Sequence, residues 1–420
     1  MLDVKLIREN PDQVRAALKK RGRDVKQVDI FLGVDADWRT LSQRFDDARR
    51  ELKELSAARA IEKAKELKVS LKVIEEGLTR ITKEREDLLS QLPNIPFDDV
   101  PDGKDDSGNK VVRTVGVPGK LKIDYLTLAR NLDLLDVERS ATVAGSRFSY
   151  LKNELVLLEF ALVRFAFDLL LPHGFTPIVP PQMIRPEMYR AMGRLSGGQE
   201  EERYFLEKDG LYLIGSAEHT MGPYHAGDVF LAKDLPRRYA GFSTCFRREA
   251  GSYGKDTKGI LRVHQFDKVE MFSFAHPEKS KEEHQFLLAR QEEFHQKLGL
   301  PYRIVEICGG DLGFTDAKAF DVEVWLPSEE RYRETGSCSN TTDFQARGIN
   351  TRYRAEGQAS TLGLVHMLNA TGLAIGRTLI MIMENYQTET GTILVPEILI
   401  PYVGFKEITA TKFKGMGGNR

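Results

Sequence analysis

The stretch FRREAGSYGKDTKGILRVHQFDKVEMF, residues 246–272, places fixed charges where a β-hairpin normally carries apolar or neutral residues. Two extended runs flank a loop rich in glycine and charge. Alternation predicts Arg247 and Glu249 on one face of the first strand, with Glu270 on the returning strand. An arginine fork suits a phosphate or carboxylate, and a carboxylate suits an ammonium group or an exocyclic amine. The pattern predicts either a site for a ligand with both charges or a solvated hairpin whose charges pair with each other.

The loop of this hairpin has the composition of a flexible cover over a polyphosphate. It holds three glycines together with Lys255, Lys258 and Arg262. Its GSYGK segment lacks the GxxxxGK[ST] spacing and is not followed by a helical pattern, which excludes a P-loop.

The length and net charge of the chain limit the classes of protein to which it can belong. The 420 residues predict two or three domains, and the net charge of -1 gives no global basic field to drive binding to DNA. The 3 cysteines form no CxxC pair, so neither a disulfide framework nor a cysteine zinc site is indicated. The N-terminus is charged from its third residue, and the most apolar stretch, 157–171, is broken by charges. We expect a cytoplasmic protein with no membrane or DNA partner.

Residues 28–92 predict two long helices folded back on each other as an antiparallel coiled coil. Apolar residues recur there at alternating steps of three and four, the intervening positions are mostly charged, and Arg85 occupies one seam position. The pattern lapses near 65–70. The seam consists of Trp38, Leu41, Phe45, Ala48, Leu52 and Leu55, followed by Leu71, Ile74, Leu78, Ile81, Leu88 and Leu92.

The prolines and turn residues of 90–110 separate this hairpin from the rest of the chain. We expect an N-terminal domain over 1–103 and a second domain over 104–420. In the second domain, β-like runs such as YAGFSTCF and VEVWLP alternate with helices expected over 147–172, 279–298 and 363–384. This order predicts an α+β fold around an antiparallel sheet flanked by helices.

Three further segments carry candidate site residues. MLNATGLAIGRT (367–378) places Arg377 after small residues, where it could face an anion or cap a core helix. RYRETGSCSN (331–340) offers Glu334 and Ser337 as oxygen ligands for a divalent cation, or an ordinary turn. LIGSAEHT (213–220) offers Ser216 and Glu218, either for a small zwitterion or as a helix cap.

Together these segments resemble one family, the seryl-tRNA synthetases of class II, over essentially the whole chain and in the same order. GFTPIVPPQMIRPEMY (174–189) is similar to motif 1, residues 246–270 to motif 2, and GLAIGRT (372–378) to motif 3. SCSNTTDFQAR (337–347) and the helical hairpin point to serine. The resemblance implies a homodimeric ligase that activates L-serine with ATP and Mg²⁺ and transfers it to tRNA(Ser). Whether tRNA(Sec) is a second substrate stays open.

The resemblance also implies roles for individual residues. Arg247 would contact the α-phosphate and the serine carboxylate, and Arg377, with Arg262, the γ-phosphate. The ATP site would further contain Arg248, Glu249 for the adenine amino group, Val263, and Glu334, Thr335, Gly336 and Ser337, of which Glu334 and Ser337 flank Mg²⁺. The serine site would contain Ser216, Ala217, Glu218, Arg247, Glu270, Asn369 and Thr371. Which carboxylate takes the ammonium group and which the hydroxyl is open.

The hairpin would bind the long variable arm of tRNA(Ser) by its shape. Its candidate contacts are Arg49, Arg50, Lys53 and Arg59, although any solvated coiled coil has a charged outer face.

Three positions depart from the family pattern. Ser216 replaces a threonine, Gly336 a serine, and Thr371 a serine. Two alternatives compete with the ligase: an enzyme that charges a carrier protein, whose relatives lack the long helical arm, and a catalytically silent paralogue, which would lack Arg247, Glu270 or Arg377. A class I synthetase is disfavoured because the chain has no HIGH-like segment.

Overall fold

The computed structural model describes residues 1–120, 123–250, 259–355 and 362–410. Lys255 and Lys258 of the predicted cover lie outside this range. The chain divides into two compact units, Met1–Ile95 and Pro96–Arg420. The sequence-based boundary after residue 103 therefore lies within the second unit, where Val100 packs against Val305 and Ile307. No helix among the described residues is both long and apolar enough to cross a membrane.

The N-terminal unit is a helical hairpin preceded by two short helices. At 1.5 Å per residue, its two long helices each span about 45–48 Å, and they run antiparallel with Trp38 Nε1 donating to Thr82 Oγ1 at 2.9 Å. The turn lies at 58–60, so the segment near 65–70, where the seam pattern lapses, is still helical. The predicted coiled-coil arm is confirmed. The helices are α1 (Val4–Glu9), α2 (Pro11–Lys20), α3 (Lys26–Ala57) and α4 (Ile61–Ser90).

A buried carboxylate explains the arginine in the seam. The side chain of Asp35 on α3 is 0% exposed, and it accepts hydrogen bonds from Arg8 Nε at 2.7 Å and Arg85 Nε at 2.7 Å. The Arg85 guanidinium also lies over the Trp38 ring, 4.6 Å from its centroid. Asp35 thus joins α1, α3 and α4 at one point.

The second unit contains nine further helices within the described residues. They are α5 (Tyr125–Asn131), α6 (Val137–Ala144), α7 (Glu154–Leu170), α8 (Pro186–Ala191), α9 (Glu218–Met221), α10 (Ser280–Lys297), α11 (Phe344–Ile349), α12 (Ile375–Asn385) and α13 (Ile400–Val403). The strands are β1 (Lys110–Val115), β2 (Leu135–Asp136), β3 (Tyr150–Leu151), β4 (Phe175–Ile178), β5 (Met183–Ile184), β6 (Phe205–Leu206), β7 (Leu211–Leu213), β8 (Val229–Leu231), β9 (Arg237–Phe246), β10 (Gln265–Ala275), β11 (Tyr302–Glu306), β12 (Lys318–Leu326), β13 (Arg331–Asn340), β14 (Arg352–Arg354), β15 (Leu362–Leu364), β16 (His366–Ala374), β17 (Ile393–Leu394) and β18 (Glu407–Ile408).

An eight-stranded sheet organises this unit, in the order β1-β11-β12-β13-β16-β10-β9-β4. All its pairs are antiparallel except β9 with β4 at one edge. Apolar side chains of β10 and β16 pack with α7, α10 and α12 in the main core. The predicted α+β class and antiparallel sheet are confirmed.

Three sequence-based assignments of local structure are wrong. The helix expected over 147–172 begins only at Glu154, after the short strand β3. The helix expected over 363–384 begins only at Ile375, because 366–374 forms the buried strand β16. Arg247 and Glu249 do not lie on a strand, because β9 ends at Phe246 and the backbone of Glu249 turns through a left-handed conformation with φ of 52°.

Replacing Asp35 should destabilise the N-terminal unit. The substitution Asp35→Asn removes the negative charge that Arg8 and Arg85 share. Because both cations then lack this anion, the free energy of unfolding should fall by about 3 kcal/mol. Trp325→Phe leaves Trp38 as the reporter, since the chain has 2 tryptophans. Urea unfolding of the full chain, followed by Trp38 fluorescence, measures the loss.

Asp37→Asn is the matched control, because Asp37 lies exposed on the same helix. Its unfolding free energy should stay within about 0.5 kcal/mol of the parent. Equal unfolding free energies for the Asp35 and Asp37 variants would contradict the anchoring role of Asp35.

Candidate active site

Two connected cavities open on the polar face of the main sheet. The larger has a volume of about 510 Å³ and the smaller of about 110 Å³. Seven charged or polar residues line both, so the two form one continuous site. They are Arg247, Glu249, Arg262, Lys268, Glu334, Ser337 and Arg377.

Most of the residues predicted from sequence meet here. Besides six of the shared seven, four line the larger cavity only, namely Ser216, Glu218, Glu270 and Asn369. Another four line the smaller cavity only, namely Val263, Thr335, Gly336 and Thr371. Residues more than 100 positions apart in sequence therefore line the same site.

Two predicted contacts lie elsewhere. The side chain of Ala217 is buried in an apolar cluster with Met192 and Met221, below the site. Arg248 is exposed, and its backbone N–H donates to the carbonyl of Glu202 at 3.0 Å. Neither lines either of these two cavities.

The four tRNA candidates belong to the N-terminal unit, where all four are exposed. Three lie on α3 and one in the turn after it. They are Arg49, Arg50, Lys53 and Arg59.

The connection after β9 orients Arg247 towards both cavities. Its backbone N–H donates to the carbonyl of His264 at 3.0 Å, which closes the base of the connection. The Arg247 Nε–H donates to the Gly215 carbonyl at 3.2 Å, and its guanidinium lies 5.3 Å from the centroid of the Phe266 ring. A planar cation held in this way keeps its remaining N–H groups available for an anion.

Two further ion pairs line the smaller cavity. Arg262 Nη1 donates to Glu249 Oε2 at 2.8 Å. Arg377, the third residue of α12, donates from Nη1 to the Glu334 carbonyl at 2.8 Å and lies 3.4 Å from Glu334 Oε2. The helix N-terminus adds partial positive charge beside this guanidinium, an arrangement that favours phosphate oxygens.

Carboxylates near Arg377 differ in their protonation. Burial acts to raise the pKa of Glu334, but the charges of Arg377 and Arg247 outweigh it, so that the pKa is lowered. Burial, reinforced by the Glu334 charge, raises the pKa of Asp321 on the adjacent strand. Glu334 therefore ionises more readily than Asp321 at this end of the site.

The other end of the site contains two buried carboxylates, each with its own cation. Arg194 Nη2 lies 2.5 Å from Glu218 Oε1, and Lys268 Nζ lies 2.6 Å from Glu270 Oε2. Burial opposes the ionisation of Glu218, but Arg194 prevails and lowers its pKa. Burial raises the pKa of Glu270, and the negative charge of Glu218 adds to that effect against Lys268. The two environments separate the pKa values of neighbouring carboxyl groups.

Strand pairing brings the remaining serine-site candidates beside Glu270. Thr371 lies directly opposite Glu270 across the β10–β16 pair, and Asn369 lies two residues further along β16. Within the described structure, the buried Nδ2 of Asn369 has no hydrogen-bond partner. A buried amide donor facing a polar cavity is suited to a ligand hydroxyl or carbonyl.

Sequence reasoning missed the cations that neutralise this end of the site. Arg194 comes from the loop after α8 and has no local signal, because only the fold carries it to Glu218. Lys268 was detectable, since it lies two residues before Glu270 on the same strand. His219, Arg203 and Asp316 also line the larger cavity.

Glu334 and Ser337 suit a magnesium ion. Mg²⁺ is typically held by one or two carboxylates, water and substrate phosphates. Both residues line both cavities, and Glu334 is ionised. Among the described residues there is no group of three or more His, Cys, Asp or Glu side chains placed to hold a metal by themselves. The donor set therefore fits an ion that also needs the oxygens of a phosphate ligand.

Two of the departures from the family pattern are neighbours in space. A Cβ on Gly336 would lie 2.6 Å from Thr371 Cβ and 3.2 Å from Gln291 Nε2. Gln291 of α10 donates from Nε2 to the carbonyls of Thr371 at 2.9 Å and Ser337 at 3.1 Å. Thr371 and Gln291 therefore fill the space that a side chain at position 336 would occupy.

An antiparallel sheet with two arginines and paired carboxylates over its polar face defines a class II aminoacyl-tRNA synthetase core. The profile of the tRNA synthetase class II core domain (G, H, P, S and T) matches residues 204–386, and that of the seryl-tRNA synthetase N-terminal domain matches residues 1–96. The chain belongs to the seryl-tRNA synthetase family.

Curated relatives and solved structures support this membership over nearly the full length. The serine--tRNA ligase of Thermotoga neapolitana is 42% identical over 97% of this chain and 100% of its own. The serine--tRNA ligase of Thermococcus onnurineus is 42% identical over 99% of this chain and 98% of its own. The seryl-tRNA synthetase from Pyrococcus horikoshii complexed with ATP is 40% identical, covers 97% of this chain and 99% of its own, and superposes with a TM-score of 0.88.

Adding a methyl group at Gly336 should destabilise the second unit. In Gly336→Ala the new Cβ meets the Thr371 Cβ, which cannot swing away as a flexible side-chain end could. Overpacking of this kind costs about 1–3 kcal/mol. Urea unfolding of the full chain, followed by Trp325 fluorescence in a Trp38→Phe background, measures the loss.

Gly376→Ala is the matched control in the same cavity. Among the described residues, its Cβ would meet only the Ile260 carbonyl oxygen, at an ordinary 3.6 Å, and alanine is favoured over glycine within a helix. The control should be at least as stable as the parent. If both variants were equally stable, the close contact at position 336 would be disproved.

Proposed function

We propose that this protein is an ATP-dependent serine–tRNA ligase, which forms seryl-adenylate from L-serine and ATP and then transfers serine to tRNA(Ser). The observation that carries the proposal is the alignment of charges along one site. Arg247 lines both the smaller cavity, beside Arg262 and Arg377, and the larger cavity, which alone contains Glu218 and Glu270. A polyphosphate suits the smaller cavity and an amino acid suits the larger one. The names of the relatives agree with this reading.

The chemistry needs positioning and charge rather than a protein nucleophile. The serine carboxylate attacks the α-phosphorus of ATP, the bond to the bridging oxygen breaks, and pyrophosphate leaves with the electron pair. The terminal ribose hydroxyl of tRNA then attacks the carbonyl carbon of seryl-adenylate, and AMP leaves. Arg247 would contact both the serine carboxylate and the α-phosphate and so hold the two reacting groups together.

The nucleotide would occupy the smaller cavity and the part that both cavities share. Arg377, assisted by Arg262, would hold the γ-phosphate, and Glu249 would accept from the adenine amino group beside Val263. For this contact, the ion pair of Glu249 and Arg262 must rearrange or share its oxygens. Mg²⁺ would bind Glu334 and Ser337 and would offset the charge of the phosphates.

The amino acid would occupy the larger cavity between Ser216, Glu218, Glu270 and Asn369, with Thr371 behind Glu270. A pocket that hydrogen-bonds the serine hydroxyl leaves buried polar groups unpaired when alanine binds, which costs orders of magnitude in rate.

The helical arm would bind the tRNA. Its exposed arginines and lysine, Arg49, Arg50, Lys53 and Arg59, would contact phosphates along the long variable arm. The arm also argues against a ligase for carrier proteins.

A cytoplasmic homodimer of a two-domain chain, with the domain boundary after residue 95 rather than after residue 103, completes the proposal. Phe160 of α7 is 63% exposed and Val179 after β4 is 72% exposed. A second copy of the chain would cover these apolar side chains in a dimer interface near motif 1.

Removing the guanidinium of Arg247 should abolish adenylate formation. Arg247→Ala loses the contact that holds both reactants, so serine-dependent exchange between ATP and pyrophosphate should fall by about 10³-fold or more. Arg354→Ala, an exposed arginine on β14, is the control and should retain the parental rate. Exchange near the parental rate in Arg247→Ala would overturn the assignment of the site. A folded parent protein without any exchange would favour the silent paralogue.

Shortening the arm should separate adenylation from tRNA charging. Replacing residues 44–74 with a short glycine linker removes all four tRNA candidates but keeps the Asp35–Arg85 and Trp38–Thr82 contacts. Exchange should stay within about twofold of the parent, whereas aminoacylation of tRNA(Ser) should fall by about 10²-fold or more, because phosphate contacts supply much of the affinity. Equal losses in both assays would show that the arm has a structural role instead.

A further inference from the structure

A buried chain of hydrogen bonds lies behind Glu218 and has no role in the reaction described above. His219 follows Glu218 in α9 and is 3% exposed, and Tyr189 of α8 is 0% exposed. The Tyr189 hydroxyl lies 2.8 Å from His219 Nδ1, and His219 Nε2 lies 3.3 Å from Glu218 Oε1. The chain therefore ends on a carboxylate that lines the larger cavity.

A backbone amide determines the direction of this chain. The N–H of Gly215 donates to His219 Nδ1 at 3.1 Å. Because an amide N–H can only donate, Nδ1 must accept and carries no proton. The proton of the neutral ring is then on Nε2, the nitrogen that lies 3.3 Å from Glu218 Oε1, and the Tyr189 hydroxyl donates to Nδ1 as well.

The surroundings keep the imidazole neutral. Burial is the largest effect that lowers the pKa of His219, to about 3, and the positive charges of Arg203 and Arg194 act in the same direction. Only Glu218 opposes them. Arg203, from the segment before β6, also lies over the Tyr189 ring at 5.6 Å from its centroid. The ring is therefore a fixed hydrogen-bond donor across the neutral pH range rather than a cation.

Glu218 Oε1 is approached from two separate elements. Arg194 reaches it from the loop after α8, at 2.5 Å, and His219 reaches it from α9. The arginine supplies charge through a flexible chain, whereas the imidazole is a rigid ring held by Gly215 and Tyr189. The Glu218 carboxylate is held by a charged donor, Arg194, and by a rigid one, the imidazole of His219. It therefore rotates less freely than it would with Arg194 alone.

We propose that His219 and Tyr189 are positioning residues that fix the carboxylate of Glu218 in the amino-acid pocket, through a neutral imidazole protonated at Nε2. The inference rests on the proposed function, since it takes Glu218 as a wall of the serine site. It adds Tyr189, which lines neither of the two cavities, and His219, which lines the larger cavity beside Glu218, and it assigns both an action through Glu218.

Two substitutions at His219 separate its two nitrogens. His219→Gln places an amide N–H near the position of Nε2 and keeps the donor to Glu218. His219→Asn places an oxygen near the position of Nδ1 and loses that donor. We expect the KM for serine in ATP–pyrophosphate exchange to rise about tenfold or more in His219→Asn, with the KM for ATP within about threefold. His219→Gln should restore most of the affinity for serine.

The Tyr189→Phe variant tests the outer part of the chain. Gly215 still donates to Nδ1 in this variant, so we expect a KM for serine between those of the parent and His219→Asn. Equal KM values for serine in the parent and in His219→Asn, or equal impairment of the Asn and Gln variants, would overturn the proposal.

A spectroscopic measurement on the parent protein tests the proton position without relying on activity. The chain has 8 histidines, and the ¹⁵N-histidine signals absent from His219→Gln identify position 219. We expect a bare Nδ1 and a protonated Nε2 that do not titrate between about pH 5.5 and 8.5. A proton on Nδ1, or a charged ring at pH 7, would overturn the inference. Absence of serine-dependent exchange in the parent would instead overturn the proposed function, whatever the ring shows.

Discussion

The site depends on the hydrogen bonding of strand β10 on both of its edges. β9 pairs with one edge and β16 with the other, so Glu270 lies between Gly241 and Thr371 in a fixed register. A shift of one residue would turn the Glu270 side chain to the apolar face, where Val269 and Met271 now pack against the helices. The buried core behind the sheet thus enforces the position of the charged groups in front of it.

Paired charges are the second requirement of this arrangement. A buried ion without a partner is strongly destabilising, and four acidic side chains that line the site, Glu218, Glu249, Glu270 and Glu334, each have a cation beside them. Glu218 pairs with Arg194 and Glu270 with Lys268. These partners come from different elements, so the site forms only when the sheet and the loops around it have folded. The larger cavity is lined by as many basic as acidic side chains, which suits a zwitterionic ligand next to a polyphosphate.

The helical arm also pairs its buried charge, since Asp35 lies between Arg8 and Arg85. Its seam is narrow and apolar, and Asp35 interrupts it where α1, α3 and α4 meet. An arginine in a coiled-coil seam is unfavourable by itself, and Arg85 is accommodated because Asp35 and the Trp38 ring satisfy its charge. The two units therefore both place charges inside packed surfaces, and both do so with matched partners.

The sequence by itself determined the elements whose signal is local or periodic. Heptad spacing predicted the arm, short β-like runs predicted core strands, and the family resemblance of the motifs implied that Arg247, Glu270, Glu334 and Arg377 belong to one site. It did not show that 366–374 is a strand, because a buried run of apolar and small residues has no distinctive period. Nor did it reveal Arg194, His219 or Asp35 as partners of buried groups. Only the tertiary structure decided these, since an ion pair between distant segments depends on the direction in which the folded backbone carries each side chain, and no spacing along the chain records that direction.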